Sequence, residues 1–135
     1  MNKSGESPDP SIEERSVATW NRVTVLNSRS VCLLGQAAGP HLMAAGGYGK
    51  VINIGSVLGS VGVRDNTAYV MSKHAVIGLT QSLALEWARR GVQVNALCPG
   101  FVVTDMTSHI RESEQNRKWG IREPPMGDRG AWPGV

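Results

Sequence analysis

The sequence predicts an α/β fold built on a parallel strand–helix–strand crossover, and three stretches predict it. The apolar run Val51-Ile52-Asn53-Ile54-Gly55, bounded by Lys50 and Ser56, has the length and β-branched content of a buried strand. Residues 68–90 have the length of a single helix, with Gly91 placed as its C-terminal stop. Val92-Gln93-Val94-Asn95-Ala96-Leu97 then reads as a second strand, ending in Cys98-Pro99-Gly100. Strand, helix and strand in that order form a right-handed crossover between parallel strands.

In chain order, residues 1–11 read as an irregular lead-in, with Gly5, Pro8 and Pro10 as breakers. Ser11-Ile12-Glu13-Glu14 has the sequence of a helix N-cap followed by acids in the first turn. Residues 20–45 read as helix. Val23-Thr24-Val25 favours a strand by propensity, but the length of the run and the Gly46-Gly47 stop decide against it. Pro40 removes one backbone donor and is expected to kink this helix late in its course. Core elements thus occupy 12–106, and 107–135 reads as a polar loop followed by an irregular tail.

The helix at 68–90 carries few strong charges: Lys73, Glu86, Arg89 and Arg90. Ala75, Val76, Ile77, Leu79, Leu83, Ala84, Leu85, Trp87 and Ala88 spread around its cylinder. A helix apolar on most sides must be covered on most sides. The sheet supplies one cover, and either a partner subunit or a larger core supplies the other.

Composition narrows the class. With 41% hydrophobic and 19% charged residues the chain is globular rather than disordered. Its formal charge of +3 comes from scattered Lys and Arg, apart from Arg89-Arg90 near a helix end, so a nucleic-acid partner is not expected. Cys32 and Cys98 are far apart and lack metal-ligand spacing, as do His41 and His109; the simplest reading is a reduced, cytoplasmic protein without a metal. Residues 1–10 contain no apolar stretch of the kind a signal peptide needs, and no run approaches the ~18 apolar residues of a membrane helix.

Chemistry concentrates at Tyr69-Val70-Met71-Ser72-Lys73 and at Ser56. Residues four apart share a helix face, so the Tyr69 phenol and the Lys73 ammonium sit one turn apart. A phenol titrates near ~10, and a cation within ~4–6 Å favours the phenolate, which brings the group toward use as a proton donor and acceptor. Ser56 would supply a hydroxyl to orient a carbonyl. Taken alone, Tyr-x-x-x-Lys equally describes a solvated helix face, and Pro99-Gly100 an ordinary turn. Both Ser56 and Pro99-Gly100, however, fall at the carboxyl ends of the predicted strands, where ligands of parallel sheets gather. His74 is read as a supporting or simply buried side chain rather than a catalytic one.

Taken together these blocks resemble the short-chain dehydrogenase/reductases. The likeness rests on Ser56, on Tyr69-x-x-x-Lys73, and on Val94-Asn95-Ala96-Leu97-Cys98-Pro99-Gly100-Phe101-Val102-Val103-Thr104. It extends to Trp20-Asn21-Arg22-Val23 followed by Asn27, and to Asn2-Lys3-Ser4-Gly5 where the family has Asn-Asn-Ala-Gly. It spans residues 2–106. The resemblance implies a Rossmann-type doubly wound parallel sheet and NAD- or NADP-dependent interconversion of carbonyl and alcohol. It implies an active-site tetrad of Asn27, Ser56, Tyr69 and Lys73, in which Asn27 holds a kink and a water that passes protons toward Lys73. Cofactor contacts are implied for Asn2, Gly5, Tyr69, Lys73, Pro99, Gly100, Val102 and Thr104. Residues 107–118 would correspond to a segment that closes over substrate, and Asp105-Met106-Thr107 bears a faint likeness to the 3-oxoacyl-carrier-protein reductase branch.

The departures from the family are as definite. Nothing matches its Thr-Gly-x-x-x-Gly-x-Gly turn, where backbone N–H groups and a helix N-terminus meet the pyrophosphate. The residue that would choose NAD or NADP is also missing. Pro125-Met126-Gly127-Asp128-Arg129-Gly130 begins to look like the family's segment after the substrate loop, and Ala131-Trp132-Pro133-Gly134-Val135 departs from it. The expectation is therefore a partial Rossmann-type fold lacking the N-terminal nucleotide-binding half and the last strand. Two functions fit: an oxidoreductase whose activity as this chain is in question, or a non-catalytic fragment that associates with a full-length homologue. Homo-oligomerisation through the apolar helix fits either; a third possibility is a gene fragment or an alternative start, with no function of its own.

Overall fold

The computed structural model describes residues 11–46, 48–100 and 102. The chain divides into two compact units, Pro10–Pro99 and a second made of Met1–Asp9 with Gly100–Val135. All the described helices and strands belong to the first.

The first helical stretch starts at Ser16, not at Ser11. The Ser16 hydroxyl accepts the Thr19 N–H at 3.1 Å and so caps α1 (Val17–Thr24). Ser11 to Glu14 form only a single turn, closed by the Glu14 N–H on the Ser11 carbonyl at 3.1 Å. Extended backbone at Ser16, with φ −69° and ψ 142°, separates the two, and this corrects the expected N-cap. The chain then passes through a π-helical segment, Val25–Arg29, into α2 (Ser30–Ala44). The Ser30 N–H reaches back five residues to the Val25 carbonyl, and the Ser30 hydroxyl donates to the Leu26 carbonyl. That carbonyl is the one an α-helical Ser30 N–H would have used. Pro40 lies inside α2.

β1 (Lys50–Ile54) and β2 (Gln93–Leu97) pair in parallel, with Lys50 opposite Gln93 and Ile54 opposite Leu97. Between them runs α3 (Thr67–Trp87), extended by a 3-10 turn and stopped at Gly91, whose φ of 74° is the left-handed conformation that glycine adopts freely. Trp87, Val92 and Val94 form the buried core, with Leu42, Met43, Val51, Leu83 and Ala84 packed against them. Gly35 and Gly39 let α2 come close: a Cβ at Gly39 would lie 3.0 Å from the Trp87 ring.

A strand alternates its side chains between faces, and only one face of this sheet is covered by α3. Asn53 is buried while Ile52 and Ile54 are 67% and 54% exposed. The reading of this run as a buried strand therefore holds for one face alone. Coverage of α3 is likewise one-sided. Ala68, Ser72, Val76 and Thr80, spaced by four, are buried, whereas Leu85 is 81% exposed. A buried polar brace joins the layers, as Asn53 Nδ2 donates to Thr80 Oγ1 at 2.9 Å and that hydroxyl donates to the Val76 carbonyl at 2.7 Å.

Gly59, in the 3-10 turn Val57–Gly59 after Ser56, seats this turn on α3. A Cβ there would stand 2.9 Å from the Lys73 carbonyl oxygen and 2.6 Å from Ile77 Cδ1. Gly59→Ala is expected to lower stability by ~1–3 kcal/mol, the usual cost of forcing atoms into a filled space. Urea unfolding checks this; an unchanged midpoint would show that the turn yields.

Candidate active site

The site lies at the carboxyl edge of the parallel pair. Past β1 the ladder continues as the Gly55 N–H donates to the Leu97 carbonyl at 2.8 Å and the Val57 N–H to the Pro99 carbonyl at 3.1 Å. These bonds place Ser56 beside the Cys98-Pro99 end of β2. A Cβ on Gly55 would meet Cys98 Sγ at 2.8 Å, so a side chain there would turn the Cys98 thiol away from this edge. Ser56 is 8% exposed, and its Oγ accepts the Leu58 N–H at 3.1 Å. Its own O–H proton remains to be donated elsewhere.

From α3, Lys73 reaches the same edge. Its Nζ donates to the Ile54 carbonyl at 3.1 Å, two residues before Ser56, and stands 5.6 Å from the centre of the Tyr69 ring. Tyr69 and Lys73 thus share one turn, as their spacing of four predicts. Removal from water holds the Lys73 ammonium below its ordinary titration range, partly opposed by the nearby Cys98. A group depressed in this way makes folding more favourable as pH rises from its folded midpoint toward 10.5, since the unfolded chain then holds the extra proton.

Asn27 arrives from the π segment. It is 8% exposed, and its Nδ2 donates to Ser72 Oγ at 3.1 Å, on the turn that carries Tyr69 and Lys73. The structure therefore brings Asn27, Ser56, Tyr69, Lys73 and Pro99 to one region of the first unit. Gly100, which is exposed, and Val102, half-buried, belong to the second unit. Asn2, Gly5 and Thr104, together with His109, lie outside the described residues. His74 is exposed, and one of its ring nitrogens lies 2.9 Å from the Val70 carbonyl, a bond within its own helix. Sequence reasoning gave no part to Ser28, Ser72 or Cys98. Their placement depends on contacts between distant segments, 45 and 44 residues apart for the bonds to Ser72, and no local spacing signals that. Among the described residues no three His, Cys, Asp or Glu side chains group as metal ligands, and no helix is long and apolar enough to cross a membrane.

A parallel strand pair crossed by one helix, with polar side chains gathered at the carboxyl edge, has its candidate groups where open parallel α/β sheets bind ligands. The chain belongs to the short chain dehydrogenase family, whose model matches residues 1–115. It is 39% identical over 127 residues to the 2-dehydro-3-deoxy-D-gluconate 5-dehydrogenase of Bacillus subtilis (strain 168), covering 94% of this chain and 50% of that one. It is 39% identical over 113 residues to the (3R)-3-hydroxyacyl-CoA dehydrogenase of Mus musculus, covering 84% of this chain and 44% of the mouse protein. Among solved structures, a gluconate 5-dehydrogenase from Burkholderia cenocepacia J2315 in complex with NADP and tartrate superposes with a TM-score of 0.77 at 28% identity, over 87% of this chain and 46% of that one. The TT0495 protein from Thermus thermophilus gives 0.73 at 43% identity, over 78% and 44% of the two chains. The chain thus spans about half the length of these relatives.

Proposed function

We propose that this chain carries the proton-transfer side of an NAD(P)-dependent oxidoreductase that interconverts a carbonyl and an alcohol. The observation that carries the reading is Lys73 Nζ, held at the sheet edge by the Ile54 carbonyl and lying 5.6 Å from the centre of the Tyr69 ring. In reduction Tyr69 donates its phenol proton to the carbonyl oxygen. Lys73 supplies a positive charge beside the oxygen that loses the proton, and Ser56 donates its free O–H to the substrate oxygen. When bound, the nicotinamide supplies or takes the hydride. The residues present fit its ribose side, where the Lys73 ammonium, a donor with three protons, stands next to Tyr69. They do not fit its pyrophosphate, since the sequence contains no Thr-Gly-x-x-x-Gly-x-Gly turn. A nucleotide-binding half of the Rossmann-type fold would supply that cradle.

Relatives acting on 2-dehydro-3-deoxy-D-gluconate and on (3R)-3-hydroxyacyl-CoA point to a hydroxy or oxo acid, or its thioester, as the substrate class. Calorimetric titration with NADH and NADPH, with circular dichroism on the same sample, tests the reading. Without that cradle, a folded chain should bind a reduced dinucleotide weakly, through its nicotinamide-ribose end alone, and lose that binding on Lys73→Ala. A folded chain that binds neither nucleotide would remove it.

A second reading, association with a full-length homologue or with a second copy, is favoured by the bare apolar surfaces: Leu85 on α3, and Ile52, Ile54 and Leu97 on the open sheet face. Leu83 packs on the core through Trp87, so a charge there would damage the chain itself. Leu85→Asp is the cleaner probe. It is expected to abolish co-purification with a full-length relative while leaving the circular dichroism unchanged, and a complex that survives it would rule out α3 as the docking face.

A further inference from the structure

Two adjacent residues of the π segment grip one residue of α3. Asn27 Nδ2 donates to the Ser72 hydroxyl at 3.1 Å, and Ser28 Oγ donates to the Ser72 carbonyl at 3.3 Å. The Ser72 hydroxyl in turn donates to the Tyr69 carbonyl at 2.7 Å. Ser72 is fully buried, with both the acceptor and the donor capacity of its hydroxyl in use. A buried polar network satisfied in this way fixes one arrangement, because any other leaves a polar group without a partner in a low-dielectric interior.

The start of α3 depends on such a hold. Its N-cap residue, Asn66, makes no side-chain capping bond, and its first turn has no acid to meet the helix dipole. Apart from the Lys73 bond to the Ile54 carbonyl, the next polar anchor, Asn53 to Thr80, is two turns further on. Between the N-cap and that anchor stand Tyr69 and Lys73. We propose that Ser72 is a positioning residue: through Asn27 and Ser28 it passes the hold of the π segment to the turn bearing Tyr69 and Lys73, and so sets where both side chains project. This rests on the reading of Tyr69 and Lys73 as the reacting pair. It gives the π segment a purpose, since π turns persist where something outside the helix holds them and recur at functional sites.

The test follows Lys73 Cε by NMR through a pH titration of the full chain. Tyr69 on the same helix and Cys98 beyond β2 are the titratable groups facing the ammonium. Ser72→Ala should let Lys73 leave the Ile54 carbonyl and take up water, moving its midpoint upward toward that of an exposed lysine. Asn27→Ala should move it in the same direction. The double variant should go no further than Ser72→Ala alone, because that change already removes the bond that Asn27 makes to Ser72. Amide signals of β1, β2 and Trp87 report whether the core stays folded. A wild-type Lys73 midpoint in a folded Ser72→Ala chain overturns the proposal, and so does additivity in the double variant. If Ser72→Ala fails to fold, Ser28→Ala, at a half-buried position, is judged by the same midpoint. No cofactor or turnover enters this readout, so its failure is distinct from failure of the proposed reaction, which Tyr69→Phe decides.

Discussion

Tyr69→Phe is expected to lower kcat for NAD(P)H-linked carbonyl reduction by ~10²–10⁴-fold, the range that a positioned general acid contributes. The change removes the phenol oxygen and keeps the ring. Tyr69 is only half-buried, and the ring that Lys73 lies over is retained, so circular dichroism and the unfolding midpoint should match the parent chain. Absorbance of the reduced nucleotide follows the rate. A Phe variant with full activity would mean that the proton comes from another group, and Tyr69 would revert to a residue on a helix face.

The largest expected effect on stability comes from Trp87→Ala, at ~3–5 kcal/mol, the usual range for deleting a large core aromatic. Trp87 is 7% exposed and joins three elements: the end of α3, the start of β2 through Val92 and Val94, and α2 through Gly39. The cavity cannot close easily, because the α2 side of the ring meets a glycine with no side chain to move in. Native domains are stable by only ~5–15 kcal/mol, so this one change should remove a large share of the total. Urea unfolding measures it, and a loss below ~1 kcal/mol would place the core elsewhere.

Local signals in the sequence were enough for much of this architecture. The strands at residues 50–54 and 93–97, α3 and its stop at Gly91 follow from apolar runs of characteristic length and from the left-handed conformation that glycine alone takes freely. The Tyr69–Lys73 pair was legible for the same reason, since four residues fix a helix face without help from the rest of the chain. What depends on distant partners was not. Val25-Leu26-Asn27-Ser28-Arg29 contains nothing that demands a π register, and its Asn27 and Ser28 find their partner 45 and 44 residues later. Hydropathy could not tell that Ile52 and Ile54 face outward, because an apolar run shows no difference between its two faces. Ser11 carried the stronger capping signature, followed by two acids, yet backbone geometry gave the role to Ser16. Leu83 and Leu85 looked alike on an evenly apolar helix, and only the packing of α3 on β2 and α2 separates them.

A dinucleotide site has two ends, and NMR titration of the folded chain with nicotinamide mononucleotide and, separately, with adenosine monophosphate tells them apart. If the carboxyl edge bearing Ser56, Tyr69 and Lys73 is the nicotinamide side, nicotinamide mononucleotide should shift the signals of those three residues saturably, and adenosine monophosphate should leave them in place. Signals unmoved by nicotinamide mononucleotide in a folded chain would contradict a catalytic site at this edge.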